Sequence, residues 1–315
     1  MIKNFKNDVD RGLSSFPKSI PSKYFYDQKG DALFVKIMHM PEYYVMRAEL
    51  DIFKNQTERI IDSLQLDVNT YFELIELGAG DGLKTKKLLF LLDKKNYNFD
   101  YFPIDISQNA LDKLEKSINN ELPGVSIKKK QGDYFKILDS LKNSHHFKVV
   151  MFLGSNIGNM SDEVASGFIY KLGANLSRND KLLIGVDLIK PKFIVKPAYD
   201  DSQGITSEFN MNLLKRINNE LGADFDVEKF SHLVEYSEEE GIVRSYLVSS
   251  SEQKVSINET GKTYNFAIGE KILTEISRKY NEEIFNKIIY NTDFKISKVL
   301  TDSKKYFSDY VLTKK

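Results

Sequence analysis

The chain has 315 residues, of which 41% are hydrophobic, enough for a large core and for more than one domain. Its 45 Lys and Arg residues balance 45 Asp and Glu residues, so it lacks the basic excess by which nucleic-acid-binding proteins attract phosphates. It contains no cysteine, which excludes disulfides, thiolate metal ligands and cysteine nucleophiles.

The sequence also bears on location and metals. It has no run of 18 apolar residues and no signal-peptide pattern, so we expect a cytoplasmic protein that does not enter a membrane. No histidine has the spacing to a carboxylate that a metal site requires. We therefore expect no metal at the histidines, which are His39, His145, His146 and His232.

The N-terminal region predicts short helices between aromatic segments. Residues 19–27 and 40–45 are rich in aromatic side chains and interrupted by proline, and the segment 30–38 between them predicts a short amphipathic helix. A longer helical pattern over residues 47–64 leads to the first apolar strand.

A glycine-rich turn follows this first strand. Gly78, Gly80 and Gly82 let the backbone turn tightly and approach a ligand without a Cβ in the way. Their G-x-G-x-G spacing differs from the G-x-G-x-x-G pattern of dinucleotide sites, and Glu76 and Asp81 would repel a pyrophosphate. Carboxylates suit a ligand with a sulfonium, an ammonium and ribose hydroxyls, so the turn favours S-adenosylmethionine. A purely structural turn is the alternative.

The next two strands favour the cofactor over the structural turn. A second strand ends at Asp105, 25 residues after Gly80, near the interval at which a second strand delivers a carboxylate to ribose hydroxyls. A third strand over residues 125–127 leads to Asp133 and Tyr134, a polar and aromatic corner suited to an adenine ring.

The middle of the chain continues to alternate strands and helices. Apolar runs over residues 147–154 and 181–188 predict a fourth and a fifth strand. Such alternation is typical of a doubly wound parallel sheet with helices on both faces.

The C-terminal half departs from this alternation and then returns to it. After residue 190 a helix over 210–221 and antiparallel strands over 233–236, 241–249 and 267–277 are predicted. Segments 294–302 and 306–313 predict a closing antiparallel hairpin, the usual ending of an S-adenosylmethionine-dependent methyltransferase sheet. We therefore expect one domain formed by residues 54–187 and 280–315, and a second formed by residues 1–53 and 188–279.

Several separate motifs together resemble one family. The chain is similar to the histidine-specific Nα-methyltransferases of ergothioneine biosynthesis, which trimethylate histidine to hercynine, from about Pro17 to the closing hairpin. The resemblance implies an α/β fold, with a class I methyltransferase (Rossmann-like) sheet and a second, α+β substrate-binding domain. It implies an amino acid as the small-molecule substrate and no obligate protein partner. The motifs that carry it are Pro41–Glu49, Glu76–Gly80, Phe152–Asn159, Ala198–Asn210, Asn219–Phe225 and Thr274–Tyr280.

The resemblance also implies the roles of the cofactor residues. Gly78, with Gly80, would approach the methionine part of S-adenosylmethionine, and Asp105 would take the ribose hydroxyls. Asp133 and Tyr134 would contact the adenine. In addition, Lys84 matches a family lysine that touches the cofactor, although a solvated helix lysine is an equal alternative.

The amino-acid site is implied in the same way. Tyr43 and Asn159, the predicted catalytic residues, and Tyr199 would bind the α-amino and α-carboxylate groups, since an amide both donates and accepts. Glu275 and Ser277, two apart on a predicted strand and hence on one face, would hold the imidazole nitrogens. Tyr26 and Phe34 match aromatic positions that line the pocket. Core packing is the alternative for both and is preferred for Phe34.

One position departs from the family pattern. Where the family commonly has a methionine, this chain has Ser245, and a smaller polar side chain would loosen the pocket around the substrate ring. The predicted function is S-adenosylmethionine-dependent Nα-methylation of L-histidine, up to the trimethylated betaine. The alternatives are an N-methyltransferase of the same family that acts on another aromatic amino acid or amine, and a catalytically silent protein that binds S-adenosylmethionine.

Overall fold

The computed structural model describes residues 2–142 and 144–315. The helices are α1 (Ile2–Ser14), α2 (Gln28–His39), α3 (Val45–Asn55), α4 (Thr57–Leu64), α5 (Thr85–Lys94), α6 (Gln108–Glu121), α7 (Tyr134–Leu141), α8 (Asp162–Ala174), α9 (Lys192–Val195), α10 (Ile205–Leu221) and α11 (Glu282–Ile289). Short 3₁₀ helices span Ser22–Phe25, Asn156–Asn159, Lys196–Ala198 and Val227–Lys229.

Strands alternate with these helices and form three sheets. They are β1 (Lys18–Ser19), β2 (Phe72–Leu77), β3 (Phe99–Asp105), β4 (Ser126–Ile127), β5 (Lys130–Gln131), β6 (Phe147–Phe152), β7 (Lys181–Asp187), β8 (Phe230–Ser237), β9 (Ile242–Ser249), β10 (Gln253–Ile257), β11 (Lys262–Phe266), β12 (Lys271–Arg278), β13 (Phe294–Thr301) and β14 (Phe307–Lys314).

The chain divides into two compact units. One, here called the α/β unit, comprises Val45–Ile189 and Lys279–Lys315, and the other, the α+β unit, comprises Met1–Tyr44 and Lys190–Arg278. The structure groups α3 with the α/β unit, whereas the sequence predicted a boundary after residue 53. The reason is that α3 packs on β14 and its Glu49 bonds to the backbone N–H of Gly154.

The α/β unit contains the predicted parallel sheet. Its strand order is β13-β14-β7-β6-β2-β3-β4, and β5 also pairs with β3. The strands β2 to β7 run parallel, while β14 is antiparallel to both β7 and β13. Strands β2 and β7 are buried along their whole length, as expected of a sheet with both faces covered. The expected fold, parallel strands followed by a closing hairpin, is therefore confirmed.

The structure differs from the sequence prediction in two details of this unit. The single helix expected over residues 47–64 is two helices, because Gln56 has a non-helical backbone (φ −131°). The Gln56 side chain donates to the carbonyl of Thr301 at 2.8 Å, a tertiary bond that the local helical pattern does not reveal. Helix α11 was not predicted, although Asn281 caps it by accepting from the N–H of Ile284.

The α+β unit contains a sheet of order β1-β12-β9-β8 and a separate hairpin, β10–β11, that the sequence did not predict. Strands β8, β9 and β12 are antiparallel, and helix α10 packs on β8 and β9. The β12–β9 pairing shifts between Leu273 and Glu275, which leaves Thr274 as an extra, bulged residue.

Within residues 2–142 and 144–315, no helix is long and apolar enough to cross a membrane.

Candidate active site

The glycine-rich turn lies at the carboxyl end of β2. Gly78, Gly80 and Gly82 all have positive φ, at 72°, 56° and 65°. A Cβ at Gly78 would lie 2.9 Å from the Tyr134 hydroxyl oxygen, and one at Gly82 would lie 2.4 Å from Cδ1 of Leu114. A Cβ at Gly80 would meet nothing within 4 Å. The turn is therefore tightly packed at both ends and open at its centre, which fits a ligand that approaches the backbone.

Glu76, at the end of β2, does not have the position that the sequence predicted. Its side chain is buried and accepts hydrogen bonds from the Thr85 hydroxyl at 2.7 Å and from the Tyr101 hydroxyl. Burial raises the pKa of Glu76 to about 7. The carboxyl thus links α5 and β3 through these two hydrogen bonds. The expectation that it faces the ligand is therefore wrong.

Asp105 ends β3 beside the glycine turn. Its Oδ1 accepts from the backbone N–H of Ser107 at 2.9 Å, and its Oδ2 lies 3.5 Å from the backbone nitrogen of Gly80. The carboxyl ends of neighbouring parallel strands meet at one edge of a sheet, where α/β proteins bind nucleotide-like ligands. The structure therefore brings Asp105 to the open centre of the turn.

Asp133 and Tyr134 complete this edge. Asp133 is the N-cap of α7, and its Oδ1 accepts from the backbone N–H groups of Phe135 and Lys136 at 3.0 and 3.1 Å. Burial first, and then the charges of Asp105 and Asp133, raise the pKa of Tyr134 to about 12. Tyr134 thus stays a neutral donor close to both carboxylates and to Gly78.

Lys84 lies between the glycine-rich turn and α5, and its ammonium is close to the turn that follows β6. Its ammonium pairs with the buried carboxylate of Glu49, and a Cβ at Gly154, in the turn after β6, would lie 3.6 Å from its Nζ. Burial lowers the pKa of Lys84, but the Glu49 carboxylate outweighs this effect, and the net shift is upward. The alternative of a solvated helix lysine is therefore wrong. Glu49 has no role of its own among the residues that the sequence assigns to the site.

The α+β unit brings together several of the predicted amino-acid ligands. The hydroxyl oxygens of Tyr199 and Ser277 lie 2.9 Å apart, and both side chains are buried. On β12, Ser277 pairs with Val243 of β9, and Glu275 pairs with Ser245. Since side chains alternate along a strand, Glu275 and Ser277 lie on the same face.

Aromatic rings lie close to this group. Burial first, and then the charges of Glu275 and other nearby groups, raise the pKa of Tyr26. The ring of Phe34 lies 5.5 Å from that of Tyr26 and 6.4 Å from that of Tyr43, both edge to face. Tyr26 and Phe34 also contact Phe209 of α10, which the sequence analysis did not assign to the site.

Ser245 lies on the central strand of this sheet. It is only 1% exposed, and its hydroxyl has no hydrogen-bond partner among the residues that the structure describes. A buried hydroxyl without a partner is uncommon in folded proteins. It pairs across the strands with Glu275, so a polar group of a ligand near that carboxylate would find a second partner here.

Asn159 belongs to the other unit. It is exposed and ends the 3₁₀ helix Asn156–Asn159, which follows β6. The structure gives its side chain no role, and its assignment as an amino-acid ligand stays a prediction from the resemblance.

In the described part of the chain, no group of three or more His, Asp or Glu side chains could hold a metal ion.

The sheet and its ligand-facing edge define a class of protein. Parallel strands closed by an antiparallel hairpin, with a glycine-rich turn after β2 and a carboxylate at the end of β3, form the class I fold of S-adenosylmethionine-dependent methyltransferases. Within this class, the family model described as histidine-specific methyltransferase, SAM-dependent, matches residues 5–314. The chain belongs to this family.

Individual relatives agree with the family. The chain is 35% identical to a histidine N-alpha-methyltransferase of Mycolicibacterium smegmatis, over 88% of this chain and 85% of the relative. It is 31% identical to ergothioneine biosynthesis protein 1 of Schizosaccharomyces pombe, over 94% of this chain but 39% of that longer protein. It is also 24% identical to the N-methyltransferase imqF of Aspergillus flavus, over 95% and 82% of the two chains.

Proposed function

We propose that this enzyme transfers methyl groups from S-adenosylmethionine to the α-amino nitrogen of L-histidine, up to the trimethylated betaine hercynine. The observation that carries the proposal is the group of Tyr199, Ser277 and Glu275 in the α+β unit, in which Glu275 and Ser277 share the face of the sheet that carries the buried residues Ser245 and Val243. The name of the Mycolicibacterium smegmatis relative, a histidine N-alpha-methyltransferase, supports the same substrate. The proposal includes a cytoplasmic location and an amino acid as the small-molecule substrate.

Glu275 and Ser277 suit an imidazole ring. A neutral imidazole has one N–H donor and one acceptor nitrogen. The Glu275 carboxylate accepts the N–H, while the Ser277 hydroxyl donates to the other nitrogen. Tyr199 fixes the orientation of the Ser277 hydroxyl through their 2.9 Å hydrogen bond. This arrangement favours a ring that has both a donor and an acceptor nitrogen over an apolar ring.

The tyrosines suit an amine that becomes cationic. An α-amino group is mostly protonated at neutral pH, whereas only the neutral amine is a nucleophile. Tyr43 and Tyr199 bind the amine through uncharged hydroxyls, and its proton leaves to water. After each transfer their ring faces attract the methylated ammonium by cation–π interaction.

The α/β unit provides the residues for the cofactor. When bound, S-adenosylmethionine supplies a methyl group on a sulfonium, with a neutral thioether as the leaving group. Gly78 and Gly80 leave the backbone of the turn accessible, and Asp105 accepts from ribose hydroxyls. Asp133 and Tyr134 contact the adenine, and Lys84 contacts the carboxylate of the methionine part.

Product masses test the function. Purified enzyme is incubated with S-adenosylmethionine and each of the common amino acids in turn, and we expect histidine alone to gain one, two and finally three methyl groups. Ser277→Ala lowers the yield from histidine, whereas Ser249→Ala, which removes a buried hydroxyl at the far end of β9, does not. If histidine gained no methyl group, the proposal would be wrong.

A second candidate is an N-methyltransferase that acts on another aromatic amine. Ser245, a buried hydroxyl in place of the family methionine, favours it because it makes the pocket wider and more polar, and the Aspergillus flavus relative is named only as an N-methyltransferase. The double variant Glu275→Met with Ser277→Ala separates the two functions, because only an imidazole requires both polar groups. Loss of turnover with histidine and retention with another amine would favour the second.

A further inference from the structure

Two buried carboxyl groups and one ammonium lie together in the α/β unit. Glu49 of α3 and Asp309 of β14 are both 0% exposed. Both oxygens of Glu49 face the backbone N–H of Gly154, at 2.9 and 3.0 Å, and its Oε2 also accepts from the Lys84 ammonium. Glu49 thus joins the turn after β6 to the lysine that precedes α5.

Gly185 makes room for the two carboxyl groups. It pairs with Asp309 across the β7–β14 ladder. A Cβ at this position would lie 2.2 Å from Oε1 of Glu49 and 3.0 Å from Oδ1 of Asp309. The carboxyl groups therefore meet above the one residue of β7 that has no side chain, a common reason for a glycine within a buried strand.

The group needs a proton. Neither oxygen of Asp309 accepts a hydrogen bond from any donor in the described chain. Two ionised carboxylates and one ammonium would leave a net negative charge in the core, which is costly without water. A proton on Asp309 makes the group neutral and supplies a donor toward Glu49. Burial and the neighbouring Glu49 accordingly raise the pKa of Asp309 well above its usual range, and Lys84 offsets only part of this.

We propose that Glu49 and Asp309 are positioning residues for the cofactor. Asp309 donates its carboxyl proton to Glu49, and Glu49 holds the Lys84 ammonium and the Gly154 N–H at the carboxyl edge of the sheet. This inference rests on the proposed contact between Lys84 and the carboxylate of the cofactor. If Asp309 loses its proton, the group becomes negative and repels that carboxylate.

Other charges border this group and bear on its titration. Glu76 of β2 acts on Lys84 through space. Asp187, two residues after Gly185 on β7, forms a buried ion pair with Lys279. Glu76 therefore contributes to any pH dependence of cofactor binding. The variants at Asp309 separate the effect of Asp309 titration from that of Glu76 titration.

Calorimetric titration of the full chain with S-adenosylhomocysteine, from pH 6 to 9, tests the proposal. We expect Glu49→Gln and Lys84→Met each to weaken binding about tenfold or more, the scale of a lost charge-assisted hydrogen bond. The double variant binds no more weakly than Lys84→Met alone, because Glu49 acts through Lys84. Glu73→Gln, a control at a buried carboxyl at the opposite end of β2, keeps the wild-type affinity.

Asp309 variants separate positioning from folding. Asp309→Leu weakens binding across the pH range, whereas Asp309→Asn, which keeps a donor toward Glu49, restores it and removes the loss of affinity at alkaline pH. Wild-type affinity in Glu49→Gln, or additive losses in the double variant, would overturn the proposal. A chain that does not bind S-adenosylhomocysteine would overturn it too, whatever amine the enzyme methylates. Binding as expected without histidine methylation would instead refute only the proposed substrate.

Discussion

The hydroxyl groups of Tyr199 and Ser277 form a buried 2.9 Å hydrogen bond in the α+β unit. The bond joins Tyr199, which follows a 3₁₀ helix, to Ser277, the second-last residue of β12, and it restricts the rotation of both hydroxyls.

Removing the Tyr199 hydroxyl weakens histidine binding. Tyr199→Phe keeps the ring but removes one of the two hydroxyls that bind the amine, and it frees the Ser277 hydroxyl, which then no longer points to one acceptor. A neutral hydrogen bond contributes about 1 kcal/mol, so we expect KM for histidine to rise roughly fivefold, with a smaller change in kcat. Steady-state kinetics measures this. Tyr246→Phe, on the opposite face of the same sheet, is the control, and equal effects of the two variants would contradict the prediction.

Stability depends on the proton of Glu76. Its pKa is about 7 in the folded enzyme and 4.5 in an unfolded chain, so the folded state binds more protons between these values. Stability therefore falls as pH rises from about 4.5 to about 7, by roughly 3 kcal/mol, and then levels off. Urea unfolding of wild type and Glu76→Gln at several pH values measures the slope. The variant flattens it, and an unchanged slope would show that Glu76 is not the group responsible.

A methyl group at Gly185 disturbs the carboxyl pair. The Cβ of Gly185→Ala would lie within 2.2 Å of Glu49 Oε1, inside a buried strand that cannot move aside. We expect a loss of about 2–3 kcal/mol in the free energy of unfolding. Gly167→Ala in α8, where a Cβ meets nothing within 4 Å, is the matched control and gains stability by up to about 1 kcal/mol. Urea denaturation decides, and a neutral Gly185→Ala would contradict the packing argument.

The Asp187–Lys279 ion pair is buried on both sides, with a separation of 2.7 Å. Lys279→Met leaves Asp187 charged in the core, and we expect a loss of about 3–5 kcal/mol in the free energy of unfolding. The double variant with Asp187→Asn recovers part of this loss, because no charge then remains unpaired. A double variant as unstable as the single one would contradict this account.

The sequence predicts most of the sheet because its signals are local. Apolar runs that end in Gly78, Asp105 or Gly154 mark the carboxyl ends of parallel strands without reference to distant residues. The Glu49–Asp309 pair has no such signal, since it joins a helix before the sheet to the last strand. Only Gly185, a glycine in an otherwise apolar strand, indicates a close approach there. Glu76 illustrates the converse, because its place in a motif does not reveal that Thr85 and Tyr101 enclose it.

The bulge at Thr274 changes which residues of β12 share a face. Before it, Ile272 pairs with Leu247 in the hydrophobic core, and after it Glu275 and Ser277 pair with Ser245 and Val243 on that same side of the sheet. In an unbroken strand an even-numbered and an odd-numbered residue would lie on opposite sides. The bulge thus keeps Glu275 and Ser277 on the side that Ile272 faces, so that one surface changes from packing to recognition along a single strand. A regular pairing that included Thr274 would turn both side chains away together.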